Sequence, residues 1–302
     1  MDRADVDWHG VFVPLITPFD EEGRIDEEAY RRLIELSVTV DAVHGLIACG
    51  SAGEFYVLDW RERERLCQIA VEQVNGRVPV LAGTSAVRPG DVIALAQQAR
   101  TSKADGVMIL PPYYAMPTER EVVGFFREIS DSIRLPIMVY NGPRRTGVNL
   151  EPGTMTRLAE LERVVAVKES SKDFHQMSAL LARCGDRLRV FTGWETMTLG
   201  CVAMGADGVV AIVPSAMGRT VTDLYEALVV QDLVRARALQ RRVDRFCDVF
   251  DIGSDFAVLK EAVNQVGRPG GAPRKPLLPL TPEDRARVRV IVEELGLCRA
   301  LA

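Results

Sequence analysis

The sequence has few lysines and histidines, and it lacks the residue spacings that are typical of several kinds of functional site. Five lysines stand against 32 arginines, with three histidines in 302 residues. His9, His44 and His175 fall in no H-E-x-x-H or similar spacing, so we expect no metal site. The six cysteines show no C-x-x-C spacing and lie mostly in apolar surroundings. Free, buried thiols of this kind are typical of the reducing cytoplasm.

Other absences narrow the classes of partner. No run approaches the roughly 18 consecutive apolar residues that suggest a membrane span. The N-terminal segment MDRADVDWHG is acidic and polar and lacks the apolar core of a signal peptide. The net charge is −5, and the basic residues form no long run. We therefore expect a cytoplasmic protein that binds neither nucleic acid nor a membrane.

The main positive signal is an alternation of short apolar runs with helical patterns. The runs are continuously apolar, which is typical of strands buried on both faces of a parallel sheet. The eight runs are 11–19, 45–50, 78–83, 106–112, 136–141, 164–170, 188–193 and 208–214. The helical patterns between them are 26–40, 59–74, 89–102, 118–133, 151–162, 173–184 and 194–205.

Eight strands, each followed by a helix, predict an α/β fold of the (β/α)8 TIM-barrel type. An open doubly wound sheet is the alternative, but no G-x-G-x-x-G loop follows the first strand. More helices follow the eighth strand than closure of a barrel requires. We therefore predict a barrel domain over 1–228 and a C-terminal helical extension over 229–302 packed on it. The predicted helices of this region are 217–229, 231–249, 255–266 and 282–296.

Lys168 lies near the C-terminal end of the sixth run, where the active site of such a barrel is expected. An ammonium group in an apolar pocket loses its hydration, which favours the neutral amine. A neutral amine attacks ketones and forms a Schiff base. The alternative is a lysine that reaches solvent or pairs with Glu169.

Other polar or small residues stand at neighbouring strand ends. Tyr140 lies near the end of the fifth run, and its phenol is suited to proton transfer. In the segment GSAGE, small residues around Ser51 and Ala52 let backbone N–H groups face a carboxylate. Tyr114 follows the fourth run, and Arg145 offers a fork for a second carboxylate. The alternative readings are rim aromatics, a plain turn and a surface arginine.

Three segments, taken together, carry a family resemblance. GLIACGSAGEF (45–55), YNGPRRTG (140–147) and VVAVKES (164–170) resemble the dihydrodipicolinate synthase / N-acetylneuraminate lyase superfamily in order and spacing. The resemblance covers nearly the whole chain. It implies a class I lyase or aldolase that forms a Schiff base with pyruvate or another 2-keto acid and then uses an aldehyde. It further implies no cofactor and a homotetramer built as a dimer of dimers.

The resemblance also assigns catalytic roles. Lys168 forms the imine with the 2-keto carbon, and Tyr140 transfers protons to the substrate. Ser51 stands where the family has a hydroxyl that hydrogen-bonds this tyrosine. Tyr114 matches a relay tyrosine, which in the synthases reaches into the site of a neighbouring subunit.

Substrate binding follows in the same way. The backbone of Ser51 and Ala52 is expected to hold the pyruvate carboxylate, and Val210 to present its carbonyl to the site. Arg145 favours a synthase that condenses pyruvate with aspartate semialdehyde, because in such enzymes this arginine binds the aldehyde's carboxylate. Two positions depart from typical synthases: Ala52 replaces a threonine, and the bulky Trp194 stands where many synthases have a small acidic pair.

These departures keep other functions open. Within the superfamily the alternative is an aldolase or dehydratase of 2-keto-3-deoxy sugar acids, or an enzyme like N-acetylneuraminate lyase. In another class, the alternative is a catalytically silent barrel that binds a ligand. Positions matching the lysine-feedback pocket of bacterial synthases hold Trp60, Arg63 and Val87, so we expect no inhibition by lysine.

Overall fold

Eight parallel strands close into a barrel in sequence order, and β8 pairs with β1. The structure, a computed structural model, describes residues 1–298, so positions 299–302 of the predicted extension lie outside the described residues. This closed barrel confirms the predicted fold class and excludes the open doubly wound sheet. The strands are β1 Gly10–Pro14, β2 Gly45–Ala48, β3 Val80–Gly83, β4 Gly106–Ile109, β5 Ile137–Asn141, β6 Val164–Glu169, β7 Arg189–Thr192 and β8 Gly208–Val210.

The helices begin where the sequence supplies caps. The Asp26 carboxylate accepts a hydrogen bond from the Ala29 N–H group at the start of α1. Asp59 and Glu62 form a capping box at the start of α2. In the described residues the helices are α1 Glu27–Thr39, α2 Trp60–Val74, α3 Pro89–Thr101, α4 Glu119–Ser132, α5 Pro143–Thr146, α6 Pro152–Ala159, α7 Phe174–Cys184, α8 Thr198–Ala203, α9 Pro214–Met217, α10 Thr220–Val229, α11 Leu233–Cys247, α12 Asp255–Gln265 and α13 Pro282–Glu294.

The short helix α5 was not predicted, and it positions part of the mouth of the barrel. Pro143 starts it, since a proline has no N–H group to leave without a partner in a first turn. Gly147, with φ 74°, ends it in the left-handed conformation. This single turn carries Arg144 and Arg145 just beyond the end of β5.

The extension packs on the barrel through a shared apolar core. Val11 of β1 and Val209 of β8 belong to the same buried cluster as Phe246 of α11 and Val288 of α13. The boundary between 1–228 and 229–302 stays a prediction, and the core is continuous across it. Within residues 1–298, no helix is both long and apolar enough to cross a bilayer.

Candidate active site

Lys168 and Tyr140 are brought together by the register of β5 and β6, in which they are direct partners. Lys168 is buried, and its Nζ lies 4.2 Å from the centroid of the Tyr140 ring. Because side chains alternate along a strand, Glu169 points the opposite way. Its carboxylate accepts hydrogen bonds from Asn141 and Gln176. The alternative pairing of Lys168 with Glu169 is therefore not formed.

A cavity of about 630 Å³ opens at the C-terminal ends of the strands. Tyr114 does not line it and is 95% exposed, so its action across a subunit interface remains a prediction. The other predicted site residues all line this one cavity. They are Lys168, Tyr140, Ser51, Ala52, Arg145 and Val210.

The GSAGE loop presents unused backbone donors beside this cavity. The loop is a tight turn in which the Gly53 N–H group donates to the Gly50 carbonyl and the Glu54 N–H group to the Ser51 carbonyl. Among the described residues, the N–H groups of Ser51 and Ala52 donate to no other protein atom. They are thus available to an anion. No hydrogen bond joins the Ser51 hydroxyl to Tyr140 in this part of the chain, so that link stays a prediction.

Two glycines leave room for the side chains of the site. A Cβ atom at Gly193 would lie 2.8 Å from Lys168 Cε and 1.8 Å from Ser170 Oγ. A Cβ atom at Gly142 would lie 3.0 Å from Cε2 of Tyr140. Neither glycine is among the predicted site residues, and Gly193 leaves no signal in the sequence because its role depends on side chains at the end of the neighbouring strand β6.

Glu195 is a second residue missing from the predicted site. It lies just beyond β7, is buried, and lines the cavity. One carboxylate oxygen accepts a hydrogen bond from the Ile212 N–H group at 2.6 Å. Burial raises the pKa of Glu195, while these hydrogen bonds and the charge of Lys168 oppose the increase. The signal in the sequence was the GWE segment at the end of the seventh run.

The extension forms one wall of the cavity. Asp255 and Phe256 of α12 line it, together with Asp244, Cys247 and Asp248. These residues are far along the chain from the barrel strands, and no local pattern assigned them to the site. Among the described residues, no group of three or more His, Cys, Asp or Glu side chains is arranged to hold a metal ion.

Arg145 contacts two residues of this wall. Its Nη2 lies 2.7 Å from Oδ2 of Asp255, and its guanidinium lies over the Phe256 ring at 4.6 Å from the centroid. Arg144 contacts the same carboxylate at 3.3 Å. Arg145, which was predicted to bind a substrate carboxylate, is therefore part of an ion-pair cluster that joins α5 to the extension.

Comparisons with known proteins agree with this geometry. The model of the dihydrodipicolinate synthetase family matches residues 7–295. The 4-hydroxy-tetrahydrodipicolinate synthases of Syntrophobacter fumaroxidans and Pelobacter propionicus are 35% and 36% identical to this chain. The matches cover 96% and 95% of the chain and 99% of each relative.

Solved structures give the same result. Dihydrodipicolinate synthase from Aquifex aeolicus superposes with a TM-score of 0.92 at 32% identity, covering 96% of this chain and 99% of that one. A prophage protein of the dihydrodipicolinic acid synthase family from E. coli K12, solved in complex with pyruvate, has a TM-score of 0.93 at 26% identity. That match covers 97% of this chain and 100% of the other. The chain therefore belongs to the dihydrodipicolinate synthetase family.

Proposed function

We propose that this protein is a lyase that condenses pyruvate with aspartate semialdehyde, the reaction of 4-hydroxy-tetrahydrodipicolinate synthase. The Lys168 amine attacks the C2 carbonyl of pyruvate, and loss of water leaves a protonated imine. This imine draws electrons from the methyl carbon, which loses a proton and becomes the nucleophilic end of an enamine. That carbon attacks the aldehyde carbonyl, whose oxygen takes up a proton. Attack of the substrate's own amino group, or of water, on the imine carbon then breaks the bond to Lys168 and frees its amine.

The other residues hold and protonate the substrates. Tyr140 transfers the protons that imine formation requires, since its ring lies against the Lys168 amine. The pyruvate carboxylate binds the free N–H groups of Ser51 and Ala52, and Val210 presents its carbonyl to the site. Arg145 binds the carboxylate of the aldehyde. The aldehyde reaches these groups through the mouth of the cavity.

The observation that carries the proposal is the convergence of Lys168, Tyr140 and the GSAGE loop on one cavity. It is tested by incubating the protein with pyruvate, reducing with borohydride and locating the adduct by mass spectrometry. We expect modification of Lys168 and none of Lys172, and the Lys168→Arg variant serves as the control. An unmodified Lys168 would favour a silent barrel.

The role of Arg145 has its own test. Arg145→Ala is expected to lower turnover of aspartate semialdehyde about tenfold to a hundredfold, which corresponds to loss of a charged hydrogen bond. Reduction of the pyruvate adduct on Lys168 should change little. Equal losses in both measurements would contradict this role.

A second candidate follows from the acidic wall. Asp244, Asp248 and Asp251 line the cavity, and carboxylates accept hydrogen bonds from sugar hydroxyls. This feature favours an aldolase or dehydratase of 2-keto-3-deoxy sugar acids. Comparing pyruvate plus aspartate semialdehyde with cleavage or dehydration of such acids separates the two functions.

We also infer that the enzyme works in the cytoplasm without lysine feedback. The six cysteines, free thiols in the structure, support a reducing environment. Arg63 is buried, and its guanidinium donates to the carbonyls of Gly83 and Ser85. A fixed cation at a position that matches the feedback pocket disfavours the binding of a second cation. Millimolar lysine is expected to leave the initial rate unchanged.

A further inference from the structure

The ion pair between Arg145 and Asp255 stands where the aldehyde has to bind. Both residues line the cavity, and they are 35% and 16% exposed. An arginine that already has a carboxylate partner binds a second, isolated carboxylate less well, because the two anions repel each other. The Arg145–Asp255 ion pair therefore favours a substrate that carries a positive charge as well as a carboxylate.

Asp255 retains capacity for such a charge. Its Oδ2 receives the Arg145 donor at 2.7 Å and lies 3.3 Å from Nη1 of Arg144. Its Oδ1 has a single long contact, 3.5 Å from Nη2 of Arg144. Arg144 is itself 63% exposed, so solvent screens its attraction. One carboxylate oxygen at the cavity wall can thus accept a strong hydrogen bond.

An α-amino acid has charges arranged to fit this pair. Its ammonium and carboxylate are attached to one carbon atom, so opposite charges lie side by side, as they do in Arg145 and Asp255. Placing the two pairs head to tail gives four alternating charges. We propose that Asp255 accepts a hydrogen bond from the α-ammonium of the aldehyde substrate while Arg145 binds its α-carboxylate. The site then selects amino-acid aldehydes over aldehydes that carry only a carboxylate.

This inference rests on the proposed function and names the group that sets its specificity. L-aspartate semialdehyde carries the α-ammonium, and succinate semialdehyde is the same molecule without it. Loss of a charged hydrogen bond corresponds to a change of about tenfold to a hundredfold. We therefore expect the wild-type kcat/KM for L-aspartate semialdehyde to exceed that for succinate semialdehyde by at least about tenfold.

The test measures initial rates of pyruvate consumption with each aldehyde in wild type, Asp255→Asn and Asp251→Asn. Asp251 lines the same wall, and its side chain forms no hydrogen bond or ion pair among the described residues. We expect Asp255→Asn to lower kcat/KM for L-aspartate semialdehyde and to spare succinate semialdehyde. Asp251→Asn removes the same charge and should leave the preference between the aldehydes unchanged. The borohydride adduct on Lys168 shows that each variant is folded.

The outcomes separate the inference from the function on which it rests. If wild type uses both aldehydes equally well, the inference fails while the condensation stands, and this result needs no variant. If Asp255→Asn lowers both rates by the same factor, Asp255 only positions Arg145, and the inference also fails. If wild type consumes pyruvate with neither aldehyde, the proposed function itself is wrong.

Discussion

The reach of Lys168 into the cavity depends on a glycine of the neighbouring strand end. Gly193 follows β7, and the stem of Lys168 passes so close that a methyl group there would lie 2.8 Å from Cε. Neither Gly193 nor Lys168 shows this constraint when its own segment of the sequence is considered alone. The strand register, which pairs Lys168 with Phe191, creates the constraint.

We expect Gly193→Ala to lower the rate of imine formation at least about tenfold, because Lys168 has to move to accept the new methyl group. A loss of 1.4 kcal/mol in transition-state stabilisation gives this factor. The measurement is the rate of borohydride-trapped adduct. Gly124→Ala is the matched control, since no atom lies within 4 Å of a Cβ there. An unchanged rate in Gly193→Ala would show that Lys168 can shift to accept the methyl group without slowing imine formation.

The buried carboxyl of Glu195 makes stability depend on pH. Burial raises its native pKa above 4.5, so the native state keeps the proton to higher pH than the unfolded chain does. The stability contributed by this proton is fully present below pH 4.5. It is lost as pH rises through the native pKa.

The Glu195→Gln variant cannot ionise but still accepts the Ile212 hydrogen bond. Its free energy of unfolding relative to wild type is expected to increase as pH rises from 4.5 toward neutrality. The gain is about 1.4 kcal/mol for each unit by which the native pKa is raised. Urea unfolding of both proteins across this range measures it. A difference that does not change with pH would contradict the assignment.

At the scale of elements, a buried ion pair ties the GSAGE loop to the extension. Lys260 of α12 pairs with Glu54, the last residue of GSAGE, and donates to the Ala272 carbonyl at 2.8 Å. Both side chains are fully buried, and burial lowers the pKa of Lys260 to about 8. The loop that presents the Ser51 N–H group is thereby held by a helix outside the barrel.

Lys260→Met is expected to reduce the free energy of unfolding by about 3–5 kcal/mol, because it leaves the buried Glu54 carboxylate without its cation and with only the Arg274 N–H group as a partner. The double variant Glu54→Gln with Lys260→Met removes both charges and should recover a large part of that loss. Urea midpoints of the two variants and wild type provide the measurement. If the double variant is the less stable one, the isolated charge is not the cause.

At the scale of the whole molecule, Tyr114 lies away from the cavity of its own subunit. It is 95% exposed and lies outside the cavity that holds Lys168. The family resemblance assigns it to a neighbouring subunit's site in a homotetramer. That assignment predicts that two defective subunits complement each other.

We expect Lys168→Met and Tyr114→Phe subunits, each weakly active alone, to regain activity when unfolded and refolded together. A mixed dimer would place both defects in one site and leave the other site intact. The matched control mixes Lys168→Met with Tyr140→Phe, whose defects lie in the same subunit's cavity, and should show no recovery. Light scattering gives the oligomeric state of each mixture. Failure of the first mixture to recover would place Tyr114 outside the mechanism.

The barrel and the residues at its strand ends were readable from the sequence for a physical reason. Strands buried on both faces of a parallel sheet need continuous apolar runs, and the C-terminal ends of such strands converge at one mouth. The sequence alone therefore groups Lys168, Tyr140 and Ser51 at one end of the barrel. Each belongs to a short segment whose own residue types indicate the chemistry.

What only the tertiary structure decided are the contacts between segments that are distant in the chain. Gly193 matters because β6 carries Lys168 past it, and Asp255 matters because α12 packs its first residue against Arg145. Neither relation leaves a periodic signal, since packing between elements depends on their relative placement. The chain by itself determined the barrel and the position of Lys168 at its mouth. Only the tertiary structure determines that the extension packs over the mouth of the barrel and forms one wall of the cavity.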